Sequence, residues 1–208
     1  MKKLTQRQIF DYLFNNGIEN FVGVPDSTMK YFIDQGLKCK KILITTREEE
    51  AIGIASGFAL SKSNSLVFMQ NAGFANSIST ITSLVQLYEI PLVFFIGWRG
   101  YLKKDAPEHM KIGKIQPNLL KILDLQRKII TDKNWKASCN WALKKLANHE
   151  SYIRSMNRYL KGGDWIDRFY GEHQENKVTY RCVVLGYYWY GPKKGEVKRD
   201  IGVYYPAM

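Results

Sequence analysis

The sequence is poor in the residues that most often settle a function by themselves. Its 208 residues include three cysteines, Cys39, Cys139 and Cys182, and three histidines. The cysteines are odd in number and widely spaced. They suit a reducing cytoplasm and offer no metal-ligand spacing. No apolar run is long enough to span a bilayer, so no membrane partner is expected. The first residues, Met1-Lys2-Lys3-Leu4-Thr5-Gln6-Arg7, show neither an apolar core nor a small-residue cleavage site, which argues against a secretory signal. Acidic residues are scarce beside basic ones, 19 against 31, for a formal charge of +12. Such a balance invites a nucleic-acid reading. The lysines are scattered, however, and no basic run is interleaved with aromatics on one face, so no nucleic-acid partner is expected. An anionic substrate is the other use for positive charge. Hydrophobic residues make up 45% of the chain, as in a soluble globular protein.

What is present is an alternation of two periodicities through residue 148. Thr5 and Gln8 have the spacing of a capping box, and Ile9, Phe10, Leu13 and Phe14 fall on one helical face. Phe21-Val22-Gly23-Val24 reads as a buried strand ended by Pro25, and Ser27 or Thr28 as the start of a helix. Ile42-Leu43-Ile44-Thr45 is a second strand, followed by a helix over residues 48–60 rich in small side chains. Leu66-Val67-Phe68-Met69 is a third strand. Asn71-Ala72-Gly73 is expected to be a turn, and residues 77–87 a buried helix. Pro91 opens a fourth strand, apolar on both faces as in a covered parallel sheet. A polar loop is expected from Gly97 to Gln116, then a short helix from Pro117 to Leu123, a strand at Lys128-Ile129-Ile130 and a last helix from Trp135 to Leu146. Strands alternating with helices predict an α/β fold with a doubly wound, mostly parallel sheet.

Ligands bind such sheets beyond the carboxyl ends of the strands. Those ends carry Pro25-Asp26-Ser27, Thr46-Arg47-Glu48, Gln70-Asn71-Ala72-Gly73 and Gly97-Trp98-Arg99-Gly100. Each has a plain structural use. Glu48, Glu49 and Glu50 suit a helix N-terminus, and Gln70-Asn71 suits a capping turn. Their joint order carries more.

Gly23-Val24-Pro25-Asp26-Ser27, Arg47-Glu48-Glu49-Glu50-Ala51, Met69-Gln70-Asn71-Ala72-Gly73, Ile90-Pro91, Gly97-Trp98-Arg99-Gly100 and Lys104-Asp105-Ala106-Pro107-Glu108-His109 resemble, in order, the N-terminal pyrimidine-binding domain of phosphonopyruvate decarboxylase. The sulfopyruvate decarboxylase alpha subunit is a close relative that shares the first three motifs. The resemblance covers residues 5–147. It implies a thiamine diphosphate-binding fold of the pyrimidine-domain type and decarboxylation of phosphonopyruvate to phosphonoacetaldehyde. The alternatives are an alpha-type sulfopyruvate decarboxylase subunit or an inactive remnant that only folds or pairs. It further implies that Glu48 hydrogen-bonds N1′ of the cofactor's aminopyrimidine ring and shares a proton there. Gln70, Asn71 and Gly73 would lie beside the cofactor, and Asp26 and Ser27 would face the reacting carbon. His109, in the long loop, would handle protons, and Arg99 would meet the substrate anion through its bidentate fork. Arg47 and Glu49 depart from the family's usual pattern and alter the charge beside Glu48.

Residues 149–208 change in texture, with Tyr, Trp, Gly, Lys and Arg crowded as in Tyr187-Tyr188-Trp189-Tyr190. They are expected to form an irregular tail, a truncated or frame-shifted remnant of a second domain. The family holds the diphosphate and Mg2+ through such a domain. Gly162-Gly163-Asp164 lacks the surroundings of that metal motif, so no metal site is assigned to this chain. The expected assembly is a homo-oligomer or a complex with a beta-type subunit, in the cytoplasm.

Overall fold

The structure is a computed structural model that describes residues 1–101, 105–147 and 183–188. Six strands form one sheet: β1 (Asn20–Gly23), β2 (Ile42–Ile44), β3 (Ser65–Gln70), β4 (Val93–Trp98), β5 (Gln126–Ile130) and β6 (Val183–Tyr188). Their order is β2-β1-β3-β4-β6-β5, and every neighbouring pair is parallel. The expected doubly wound α/β fold is therefore present.

Side-chain alternation along the middle strands builds two cores. Leu66 and Phe68 of β3, with Val93 and Phe95 of β4, pack with Phe10, Phe32, Cys139 and Ala142. Those partners come from α1 (Lys3–Asn15), α2 (Lys30–Lys38) and α7 (Trp135–Ala147). Val67, Met69, Phe94 and Ile96 face the other way and join Ala51, Ala55, Phe74, Ile81 and Leu120. That second layer comprises α3 (Glu48–Leu60), α4 (Asn71–Asn76), α5 (Ile78–Thr80) with the π-helical turns Ile81–Gln86 that continue it, and α6 (Pro107–Ile122). Helices thus cover both faces, which is why the central strands are apolar throughout.

Several local expectations change. Helix α1 starts at Lys3, so Thr5 lies buried inside it rather than capping it. Asp26 caps a 3-10 turn, Ser27–Met29, that precedes α2. Asn71-Ala72-Gly73 is the first turn of α4 rather than a loop. The domain boundary also moves. Residues 183–188, expected to lie in an irregular tail, form β6 between β4 and β5, with Leu185 fully buried in the first core. These six residues belong to the sheet. Gly162-Gly163-Asp164 and the rest of the tail lie outside the described residues.

The largest correction concerns the segment expected to be a loop to Gln116. Its second half is α6, with Pro107 at the first helical turn and Pro117 inside. Proline is pre-organised for a helix start, and the polar Lys-Asp-Ala run before it had masked that signal. An internal proline has no N–H for the carbonyl four residues back. For Pro117 that carbonyl belongs to Gly113, and it accepts from the Trp98 indole Nε1 at 2.9 Å instead. The bond ties the end of β4 to the helix. Trp98→Phe should therefore cost about 1–3 kcal/mol in urea unfolding, the cost of an unmet buried acceptor. In a Pro117→Ala background the new amide can serve Gly113, and the cost should at least halve. An equal cost in both backgrounds would contradict this account.

Candidate functional site

The carboxyl ends of β1 to β4 bring together most of the predicted residues. Three adjacent acids begin α3, and their partners distinguish them. Glu50 accepts from the Thr46 amide at 3.1 Å and the Thr46 hydroxyl at 3.0 Å, which closes a cap over the helix start. Those bonds hold its carboxyl below the usual range. Glu49 lies 3.6 Å from Arg47. Glu48 makes no hydrogen bond or ion pair among the described residues, and it is half-buried. Its carboxylate lies against Gly73 in the first turn of α4, where a Cβ would fall on its atoms. Gly73 is therefore a cradle for Glu48, a more specific use than the cofactor contact expected of it. Gln70, just before α4, is half-buried and likewise makes no hydrogen bond among the described residues.

Beside this lies Asp26, 6% exposed. Its Oδ1 accepts from the Thr28 amide at 3.2 Å, and its Oδ2 from the Thr28 hydroxyl at 2.5 Å. Burial pushes the Asp26 carboxyl up. The two Thr28 bonds, then the positive fields of Arg99 and His109, partly offset that. Asp26, Arg99 and His109 thus share one electrostatic neighbourhood although they come from two different connections, the first after β1 and the others between β4 and β5. Ser27, predicted with Asp26, is exposed.

Asn71 and Arg99 each have partners within the chain. Asn71 is fully buried, and its amide clamps the Arg99 backbone: Nδ2 donates to the Arg99 carbonyl at 2.9 Å, and Oδ1 accepts from the Arg99 amide at 3.2 Å. It holds the end of β4. The Arg99 fork closes on Asp105, with Nε to Oδ2 at 2.8 Å and Nη2 to Oδ1 at 2.6 Å. Its bidentate edge is therefore taken by a side chain of this chain. His109 lies in the first turn of α6, not in a loop. Gly100 turns with φ +73°, and a Cβ there would strike the His109 carbonyl, so α6 rests directly on the turn after β4.

Sequence reasoning missed Thr28 as the support of Asp26 and Asp105 as the partner of Arg99. Asp105 lies two residues before Pro107, and an Asp placed just ahead of a helix-starting Pro is the pattern that would have pointed to it.

A half-buried carboxylate held over a glycine, without a partner among the described residues, can receive a nitrogen-ring ligand. The comparisons with known proteins show the family. Residues 4–121 match the family described as thiamine pyrophosphate enzyme, N-terminal TPP binding domain. This chain belongs to that family. The Methanocaldococcus jannaschii protein named sulfopyruvate decarboxylase subunit alpha is 33% identical over 119 residues, which is 56% of this chain and 70% of that protein. The Methanococcus maripaludis protein of the same name is 31% identical over 119 residues, covering 56% and 71%. Phosphonopyruvate decarboxylase from Streptomyces viridochromogenes is 32% identical over 119 residues, but these cover only 30% of that protein. In fold, the chain is similar to a Rhodococcus jostii thiamine diphosphate-dependent 4-hydroxybenzoylformate decarboxylase, with TM-score 0.57 and 13% identity over 88% of this chain and 29% of that one.

The thiamine pyrophosphate family implies thiamine diphosphate as cofactor, and Glu48 with Gly73 fits its pyrimidine end. No group of three or more His, Cys, Asp or Glu among the described residues could hold a metal. No helix among them is long and apolar enough to cross a membrane.

Asp26 gives this domain a pH signature. Its folded carboxyl titrates above its unfolded value of 3.8, so neutral Asp26 stabilises the fold at low pH. That contribution is lost as pH rises through the raised folded value. Asp26→Asn should raise the melting temperature of the domain by a few degrees at pH 7, with the gain shrinking towards pH 3. A variant less stable than wild type at pH 7, or a gain that does not depend on pH, would refute the assignment.

Proposed function

We propose that this chain supplies the pyrimidine-side half of a thiamine diphosphate-dependent decarboxylase for a 3-substituted, anionic 2-oxo acid. The observation that carries the reading is Glu48. It is the one acid of three at the start of α3 that neither caps the helix nor pairs with a cation among the described residues, and Gly73 leaves it room.

Thiamine diphosphate, when bound, supplies the electron sink that lets a carboxylate leave as carbon dioxide. The chain's own part is placement and proton control. Glu48 holds a proton at N1′ of the pyrimidine, which needs a carboxyl rather than an amide because the proton must be shared. Asp26, buried and pushed towards its neutral form, offers a proton beside His109. Gln70 lines the approach to Glu48, and Ser27 and Arg99 border the reacting side. Arg99 contributes its positive field more than its fork, which Asp105 occupies.

The substrate is phosphonopyruvate, giving phosphonoacetaldehyde and carbon dioxide. The alternative is sulfopyruvate, which the alpha-subunit relatives at 31% and 33% identity favour as strongly as the phosphonopyruvate relative favours the first. The net positive charge suits either anion. The diphosphate and Mg2+ are held by a second domain or beta-type subunit, in an oligomer of the cytoplasm.

Carbon dioxide release from both keto acids, by the chain combined with its second domain or partner subunit, tests the reading. One keto acid should be turned over in strong preference. Glu48→Gln should lower the rate by on the order of 10²-fold or more with the thermal unfolding curve unchanged. Full activity in that variant would remove Glu48 from the chemistry. No release of carbon dioxide from either acid would leave the chain as a folding or interaction domain.

A further inference from the structure

Both oxygens of Asp105 are doubly engaged. Oδ2 accepts from Arg99 Nε and from the Gly100 amide, each at 2.8 Å. Oδ1 accepts from Arg99 Nη2 at 2.6 Å and from the Ala106 amide at 2.8 Å. The Asp105 side chain is 6% exposed and that of Arg99 14%. One carboxylate therefore joins Arg99, just after β4, the turn at Gly100 and the residue before α6. His109 follows within the next helical turn, and its carbonyl sits over Gly100. Asn71 fixes the Arg99 backbone from the other side.

The acid next to that end of the sheet is Asp26: its Oδ2 lies where a Cβ of Gly97, two residues before Arg99, would fall, and it feels the Arg99 field yet hydrogen-bonds only Thr28 among the described residues. A nearly buried guanidinium that loses its carboxylate is costly and turns to the next one available. We propose that Asp105 is a positioning residue that holds Arg99 away from Asp26, so that Asp26 remains unpaired beside His109 for the reaction. This rests on the decarboxylase reading for its purpose, but the placement can be tested without turnover.

The charged groups bearing on this corner are Arg99 from β4, Asp105, Glu108 and His109 from the start of α6, and Asp26 itself. The two acids serve opposite ends. Asp105 stays ionised because Arg99 and two backbone amides hold its carboxyl far below the usual range, against the pull of partial burial. Asp26 has the two Thr28 bonds and the weaker fields of Arg99 and His109 to favour its charge, and burial wins. Freed from Asp105, Arg99 would reverse that balance.

The test follows the Asp26 carboxyl by carbon NMR across pH in the full chain, with aspartate side chains labelled. In Asp105→Asn the Asp26 midpoint should fall by about one unit or more, a tenfold change in its proton affinity. In Asp105→Asn with Arg99→Gln the midpoint should return to the wild-type position or rise above it, because no guanidinium is left to pair and its field on Asp26 is gone. Mere loosening of α6 would also admit water and lower the midpoint, but Arg99→Gln would not reverse it. An unmoved midpoint in Asp105→Asn, or the same fall with and without Arg99, overturns the proposal. Asp105→Glu, which keeps the charge, should keep the Asp26 midpoint within a few tenths of a unit of wild type. A fall as large as that of Asp105→Asn would also count against the proposal. In the carbon dioxide assay Asp105→Asn should lower kcat by tenfold or more with KM within about twofold. Absence of turnover by wild type would sink the decarboxylase reading, while the NMR titration would still decide what Asp105 does.

Discussion

Six strands running in one direction send every outgoing connection from the same edge of the sheet. The central strands are covered on both faces, so their side chains are committed to the two cores. Polar groups that fold stability does not require can gather only where the strands end. Glu48, Asp26, Gly73 and Arg99 all lie within a few residues of such an end, on four different connections. The site is a consequence of the strand direction more than of any one motif.

A site assembled from separate connections needs ties between them, and the ties here run through β4. Asn71 reaches from α4 to the Arg99 backbone, Asp105 from the start of α6 to the Arg99 side chain, and Trp98 from β4 to Gly113 in α6. The last bond exists because Pro117 leaves that carbonyl without its helical donor. What looks like a flaw in α6 is thus the point at which the helix is fixed to the sheet. β6 extends the same logic on the far side: β4 and β5 each pair with β6, so the six residues Val183–Tyr188 hold the outer half of the sheet.

Much of this was legible in the sequence, and what was not has physical causes. Strands such as Leu66–Met69 could be read because burial on both faces demands an unbroken apolar run. Glu48 could be read because it follows a strand in order with the other polar strand ends and because the motifs resemble a known domain. The start of α6 is hidden in the sequence because Gly97 to Ala106 is polar and Pro117 offers a second helix-opening proline. The uses of Asn71 and Arg99 were hidden because a 28-residue separation joins them, and no local spacing predicts such a pair. β6 was hidden because Val-Val-Leu-Gly-Tyr-Tyr sits in an aromatic-rich stretch, and only the empty place between β4 and β5 gives it a role.

The central claim is that Glu48 stands unpartnered among the described residues because its partner belongs to the cofactor. A crystal structure of the assembled protein with thiamine diphosphate tests it most directly. The account predicts a Glu48 carboxylate oxygen within hydrogen-bond distance of the pyrimidine N1′, about 2.6–3.2 Å, with Gly73 still beneath it. A pyrimidine bound through Glu49 or Glu50, or a Glu48 side chain turned away from the ring, would contradict it.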